Sequence, residues 1–177
     1  MERSCAVTGQ SPIKFKFKYN ENNSLCKKVK RVMMEQFVNL HDDQGVSVFY
    51  VGGTLGIDMW AGEIILRLKE KPGYEDIELI VVLPFRNHDR AWDERSKKRM
   101  AFLLKHCREH FIIGERDCRE SYINRNRFMV NHADYLLAVT NYIPGLNVKI
   151  PQTVAYALEK KKTIIYVNAD TTEVKKT

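Results

Sequence analysis

The sequence predicts an α/β fold: a single Rossmann-like three-layer domain with a mostly parallel sheet of about six strands, spanning residues 1–170 and followed by a flexible basic tail at 171–177. Three observations carry that expectation. Short, nearly continuous apolar segments alternate along the chain with longer segments whose apolar residues recur every three or four positions. Buried parallel strands give the first signature and amphipathic helices the second. The connections are short, which implies right-handed crossovers and helices on both faces of one sheet. Several apolar segments also stop at glycine or proline, where a chain leaving a strand turns toward the next helix.

The elements follow in order. Residues 4–8 are short and mostly apolar and end at Gly9, as a buried strand does before a sharp turn. Within 25–40, Val29, Val32, Met33, Phe37 and Leu40 mark the apolar stripe of the first helix. Residues 46–51 are β-rich and close on Gly52-Gly53. A second helix opens near Asp58, with Ile57, Trp60, Ala61, Ile64, Ile65 and Leu68 as its core stripe and Pro72-Gly73 at its end. Residues 77–83 form the most apolar strand candidate, stopped by Pro84, and suit a central strand covered on both faces.

A basic helix at 92–106, a short strand at 111–113, a helix at 122–131 and a strand at 135–139 continue the alternation. After the loop at 140–150, Pro151 suits the first position of a helix reaching about 161, and 163–167 supplies the last strand. Lys14 to Tyr19 alternates with period two and could add a small strand.

Composition narrows the function classes. A chain of 177 residues with 44% apolar and 29% charged residues forms an ordinary globular domain without staples. No apolar run approaches the roughly 20 residues that span a bilayer, and Met1-Glu2-Arg3-Ser4 lacks the layout of a signal peptide. The expected location is the cytoplasm, with no membrane partner. Cys5, Cys26, Cys107 and Cys118 form no C-x-x-C pair, which points to free thiols and neither a disulfide framework nor a metal site. The formal charge of +7 favours anionic partners without choosing among them.

In an open parallel sheet, ligands bind beyond the carboxyl ends of the strands. The loops there contain Thr8-Gly9-Gln10, Gly52-Gly53-Thr54-Leu55-Gly56-Ile57-Asp58, Arg86 and Thr140 to Gly145. Glycines at 52, 53 and 56 let backbone N–H groups approach a ligand while the following helix presents its positive end, which suits phosphate. The spacing matches neither a dinucleotide fingerprint nor a Walker A loop, and for a lone glycine pair an ordinary tight turn is the commoner explanation.

Asp58 beside a phosphate would repel it, and a ribose hydroxyl is the better partner for that carboxylate. Trp92 could stack on a base, whereas Trp60 sits among core positions. Arg86, Arg125 and Arg127 could clamp phosphate oxygens, and Asn126 is an adaptable polar group near a helix start, where capping is the alternative. No serine, cysteine or histidine stands in the context of a nucleophile elbow or triad.

Taken in order, Cys5-Ala6-Val7-Thr8-Gly9, the run from Gly52 to Ala61, Pro84-Phe85, Arg125 to Val130 and Thr153 to Ala157 resemble the SLOG superfamily, and within it the YpsA-like branch. The resemblance implies a Rossmannoid fold whose glycine-rich loops assemble a pocket for a nucleotide-derived molecule. Related branches are the LOG phosphoribohydrolases, which split nucleotide monophosphates, and the DprA proteins, which bind single-stranded DNA. This chain departs from the branch in three places. Gln10-Ser11 stands where the branch has His-Arg; Asn131 stands where it has Asp; and the stretch from Pro144 to Thr153 lacks its late Gly-Gly-Thr. The LOG signature with its catalytic glutamate is absent.

These departures favour binding over catalysis. The expected role is sensing of a small nucleotide ligand of the ADP-ribose, NAD or AMP kind, with no required cofactor, by Thr8, Gly9, Gln10, Gly52, Gly53, Thr54, Gly56, Asp58, Arg86, Trp92, Arg125 and Asn126. One alternative is a nucleotide N-glycosidase using Asp58 or Glu63. Another is a single-stranded nucleic-acid binder that interleaves Lys14, Lys16 and Lys18 with Phe15, Phe17 and Tyr19. A homo-oligomer is compatible with any of the three.

Overall fold

The computed structural model describes residues 1–177. Its strands are β1 (Arg3–Gly9), β2 (Val46–Val51), β3 (Glu78–Leu83), β4 (Glu109–Ile112), β5 (Tyr135–Thr140), β6 (Thr163–Asn168) and β7 (Val174–Lys176). Its helices are α1 (Ser24–Gln44), α2 (Ile57–Lys69), α3 (Glu94–His106), α4 (Arg119–His132) and α5 (Gln152–Glu159).

The strands form one seven-stranded sheet in the order β4-β3-β2-β1-β5-β6-β7, parallel except for β7. From β1 the chain moves outward to β4, and α4 then carries it back to β5 on the far side of β1. Strand order therefore reverses between β1 and β5, the place where such sheets bind ligands.

Side-chain alternation divides the core between the two faces. Cys5, Val7, Phe49, Val51, Leu79 and Val81 pack with α1, α2 and α3 in a cluster of 31 buried residues. Ala6, Val48, Ile80, Val82, Leu136 and Ala138 pack with α4 and α5 in a cluster of 13, so the main core lies on the α1–α3 face. The predicted helix stripes hold: Val29, Met33, Phe37 and Leu40 of α1 are buried, as are Ile57, Trp60, Ala61, Ile64, Ile65 and Leu68 of α2. Asn23 caps α1 by accepting from the Leu25 N–H, and Gly45 ends that helix in the left-handed region at φ 70°.

Two segments differ from expectation. The tail does not hang free as a flexible extension: β7 pairs antiparallel with β6, and the Thr177 N–H donates to Ile164 O at 3.0 Å. An exposed, lysine-rich three-residue edge strand carries too little apolar periodicity to be read as a strand. The stretch from Lys14 to Tyr19 is likewise not a strand. A 3-10 turn at Pro12–Lys14 leads into further turns that drive Phe15 and Phe17 against Trp60, with ring centroids 5.7 and 6.0 Å from the indole. The turns bury Phe15 and Phe17 and leave the lysines and Tyr19 exposed. No helix is long and apolar enough to cross a membrane.

Candidate functional site

Four chain segments leave the carboxyl side of the sheet and enclose a cleft of about 400 Å³. The β1 loop supplies Gly9 and Gln10, the β2–α2 turn supplies Thr54 and Asp58, the β3 loop supplies His88 and Trp92, and α4 supplies Tyr122, Arg125 and Asn126.

The β2–α2 turn owes its shape to its glycines. Gly53 holds φ +70°, and a Cβ there would lie 2.5 Å from Leu83 Cδ2; Gly56 holds φ +87° with Pro12 Cγ 2.7 Å from the corresponding point. A side chain at either position would meet both left-handed backbone strain and a neighbour. The chain then enters α2 at Gly56, which provides no side-chain cap, so the first amides of α2, beside the cleft-lining Ile57 and Asp58, are without intrahelical acceptors.

The floor of the cleft is an ion pair. Arg125 is 5% exposed and Asp58 is 7% exposed, with Arg125 Nη1 3.9 Å from Asp58 Oδ2. Arg125 reaches them from α4, on the opposite face of the sheet from α2. Its Nη1 donates to Gly52 O and its Nε donates to Asn126 Oδ1 at 2.7 Å, while Nη2 has no protein acceptor. A Cβ at Gly52 would overlap this guanidinium, so the absence of a side chain at 52 is what lets Arg125 in. Burial pulls the Arg125 pKa below its ordinary value, opposed by the Asp58 carboxylate. The Thr54 hydroxyl and its N–H, the latter at 3.3 Å, both donate to Asp58 Oδ2, leaving Oδ1 without a protein donor.

Two further walls complete the site. His88 Nε2 lies 2.6 Å from Gly53 O; a carbonyl only accepts, so Nε2 carries the proton in this contact and Nδ1 is the acceptor of the neutral ring. Burial lowers the His88 pKa, only partly offset by that bond to Gly53. His88 meets the Trp92 ring edge-on at 5.2 Å. Across the cleft, Gln10 Oε1 accepts from the Asn141 N–H at 3.3 Å, at the β1–β5 reversal, while its buried Nε2 has no protein acceptor.

Of the residues predicted from sequence, Gly9, Gln10, Thr54, Asp58, Trp92, Arg125 and Asn126 line the cleft. Gly52, Gly53 and Gly56 shape the turn from behind it, and Thr8 lies in β1 below the rim. Arg86 is a correction: it is exposed on the β3 loop and does not line the cleft. The chain turns after Arg86 through Asn87 at φ 57°, which delivers His88 in its place.

Glu63 is a second correction. It sits two turns into α2 and is held by Arg99 of α3, which also binds Glu21, outside the cleft. Asp58 is therefore the one of the two carboxylates proposed for catalysis that reaches the cleft. The lysine–aromatic platform is a third correction, because Phe15 and Phe17 are 2% and 7% exposed and present no faces to stack on. Arg127 lies away from the cleft, over the Tyr156 ring at 5.2 Å. Sequence reasoning put Tyr19 on a nucleic-acid platform instead of the cleft, left His88 of the β3 loop without a role, and missed Tyr122. His88 and Tyr122 flank Pro84-Phe85 and Arg125, so proximity to those motifs was the available signal.

Comparison with known proteins agrees with this fold. The sequence model of YpsA, described as the YspA SLOG family, matches residues 5–172. UPF0398 proteins of Bacillus thuringiensis (strain Al Hakam) and Bacillus cereus (strain AH187) are each 28% identical over 138 residues, covering 76% of this chain and 72% of theirs. Among solved structures, DNA processing protein A from Helicobacter pylori, known for a single-stranded DNA binding mode, superimposes with a TM-score of 0.58 at 17% identity over 93% of this chain. The protein of the same name from Streptococcus pneumoniae gives 0.57 at 16% identity over the same share. This chain spans 64% and 50% of those two proteins' lengths, and at such identities the likeness establishes the fold.

Proposed function

The chain belongs to the YspA SLOG family, and on that premise we propose that its cleft binds a nucleotide-derived ligand of the AMP, ADP-ribose or NAD kind. The observation that carries the proposal is Arg125. A guanidinium 5% exposed, whose Nη2 has no protein acceptor and whose nearest carboxylate is 3.9 Å away, keeps a donor and positive charge for an anion that enters the cleft. The open amides at the start of α2 and the unpartnered Gln10 Nε2 add donors around the same space. In this reading phosphate meets Arg125 and the α2 amides, and Asp58 Oδ1, which has no protein donor, accepts from a ribose hydroxyl. Trp92 and Tyr122 then offer ring faces or edges to a base.

A single-stranded nucleic acid is the second reading. The net charge of +7 and the DprA-like fold favour it. The burial of Phe15 and Phe17 leaves Tyr19 as the one exposed ring of its platform, which places it behind the small ligand.

A thermal-shift screen with AMP, ADP-ribose, NAD, cyclic nucleotides and a short oligonucleotide tests both. A ligand at 100 times its Kd stabilises by about 2.7 kcal/mol, or roughly 5–10 °C for a domain of this size. Stabilisation by a small nucleotide is the expected result. Stabilisation by the oligonucleotide alone, weakening steeply with salt, would reverse the ranking, and no shift with any of them would overturn the cleft proposal.

A further inference from the structure

Residues 143–150, between β5 and α5, make no hydrogen bond to any other part of the chain. Their only hydrogen bonds are internal, from the Leu146 N–H to Ile143 O at 3.2 Å and from the Val148 N–H to Leu146 O at 2.8 Å. A segment held so loosely opens and closes at little cost. Six residues in a row, 144–149, are exposed, and no atom lies within 4 Å of the point where a Cβ would stand at Gly145. We infer that this loop is a lid that closes over an occupied cleft, and that Gln10 links the ligand to it; the inference rests on the nucleotide reading of the cleft.

The loop leaves from and returns to the margin of the cleft. It follows β5, which neighbours β1 where strand order reverses, and its first anchor is Asn141, whose N–H donates to the cleft residue Gln10. At its far end Gln152 and Thr153 share a small recess with Asn126, which also lines the cleft. Tyr142 and Ile150 pack against the smaller core and hold the two ends in place. Half of the loop, four residues in extended form, reaches roughly 13 Å, enough to cross the mouth of a cleft of about 400 Å³.

The side chains of the loop suit closure. Leu146 and Val148 are 56% and 43% exposed, and on the β1 loop Ile13 and Tyr19 are 62% and 63% exposed, beside the cleft-lining Pro12. Single exposed apolar residues are ordinary surface, but these four stand on the two loops that meet at Gln10 and Asn141. Closure over a bound molecule would take them out of water. Gln10 is the positioning residue. Its Oε1 is occupied by the Asn141 N–H, so the amide is oriented, and Nε2, buried and without an acceptor, is the group left for a ligand. A ligand oxygen that accepts from Nε2 fixes this amide and, through Oε1, the hinge at Asn141. Occupancy and closure then favour each other by the same factor.

Limited trypsin digestion of the full chain, with cleavage at the Lys149–Ile150 bond followed by mass spectrometry, tests the inference. Lys149 is exposed in the open loop, and Lys161, exposed in the turn before β6 at the opposite end of the sheet, is the internal control. AMP, ADP-ribose or NAD, at a concentration that saturates the thermal shift, should slow cleavage at Lys149 at least about tenfold and at Lys161 far less, because the protease cuts the open form. Gln10→Ala should bind the same nucleotide more weakly and, once saturated, show less than about twofold protection at Lys149. Leu146→Asn and Val148→Asn together should weaken nucleotide binding about tenfold, through the apolar surface no longer covered, and keep the melting temperature of the free chain within about 4 °C, since both positions are exposed. A nucleotide that stabilises the chain without protecting Lys149, protection that persists in saturated Gln10→Ala, or undiminished affinity in the double variant would overturn the lid and leave the nucleotide reading standing. No stabilisation by any of the three nucleotides would overturn both.

Discussion

Replacing Arg125 with methionine separates the two roles of the buried ion pair. The substitution keeps most of the side-chain volume and removes the donors to Gly52 O and Asn126 together with the charge facing Asp58. Asp58, 7% exposed, is then left with Thr54 as its sole donor residue. Breaking a buried pair in this way typically costs about 3–5 kcal/mol, because a carboxylate remains buried without its counter-charge. At roughly 2–4 °C per kcal/mol for a domain of this size, the melting temperature should fall by about 6–20 °C.

The double variant Asp58→Asn, Arg125→Met removes both charges, and Thr54 can still donate to the new amide oxygen. It should therefore be more stable than the sum of the single losses predicts, with a coupling near 2 kcal/mol, inside the range seen for contacting residues. Equilibrium urea unfolding of the wild type, both single variants and the double at pH 7 measures this coupling from the midpoints at constant m. A coupling within about 0.5 kcal/mol of zero would refute the account, since the two groups would then act independently across 3.9 Å. Nucleotide-induced stabilisation should be absent from every variant lacking Arg125.

Three further outcomes follow from the turn and from two histidines. Gly53→Ala meets a left-handed backbone at φ +70° and Leu83 Cδ2 at 2.5 Å from the new methyl group, so it should destabilise by at least about 1–2 kcal/mol; an unchanged urea midpoint would show that the turn relaxes freely. Burial lowers the pKa of His88 from 6.5, so the unfolded chain takes up the proton first as pH falls; stability is present above about 6.5 and is lost below it, and His88→Gln should flatten that acid limb. His41 has the opposite sign. Burial lowers its pKa, but hydrogen bonds to Asp42 and Asp76 outweigh that and raise it from 6.5, so its contribution is present below about 6.5 and is lost as pH rises through the higher folded value. His41→Gln should therefore flatten the alkaline limb, and urea midpoints between pH 5 and 8 that leave both limbs unchanged would contradict these assignments.

The parts of this molecule that were legible in the sequence are those governed by local periodicity. Val29, Met33 and Phe37 announce α1 because a helix must bury one stripe, and the apolar run before Pro84 announces β3 because a central parallel strand is covered twice. The site was legible to the extent that it hangs on strand ends, which is why Asp58, Thr54 and Arg125 could be named. What failed depends on partners distant in sequence. Glu63 was a plausible acid until Arg99, 36 residues away, was seen to hold it. Phe15 and Phe17 looked like strand residues with an exposed aromatic face because nothing local says that Trp60 covers them.

Gly52 and Arg125 show most clearly why the site exceeds its motifs. From the sequence, Gly52 belongs to a turn and Arg125 to a helix, 73 residues apart. In the fold they are one feature. The α4 layer sends a guanidinium past the end of β2 to the carbonyl of Gly52, and only a residue without Cβ leaves room for it. That guanidinium then meets Asp58 of α2, on the opposite face of the sheet, and becomes the sole charged link between the two helical layers at the cleft. An anion bound there touches both layers at once, through Arg125 of α4 and the amides of α2. Ligand binding should therefore tighten the packing of α4 against the sheet as well as the turn itself, so that amide-exchange protection extends into α4 and away from the loops that touch the ligand.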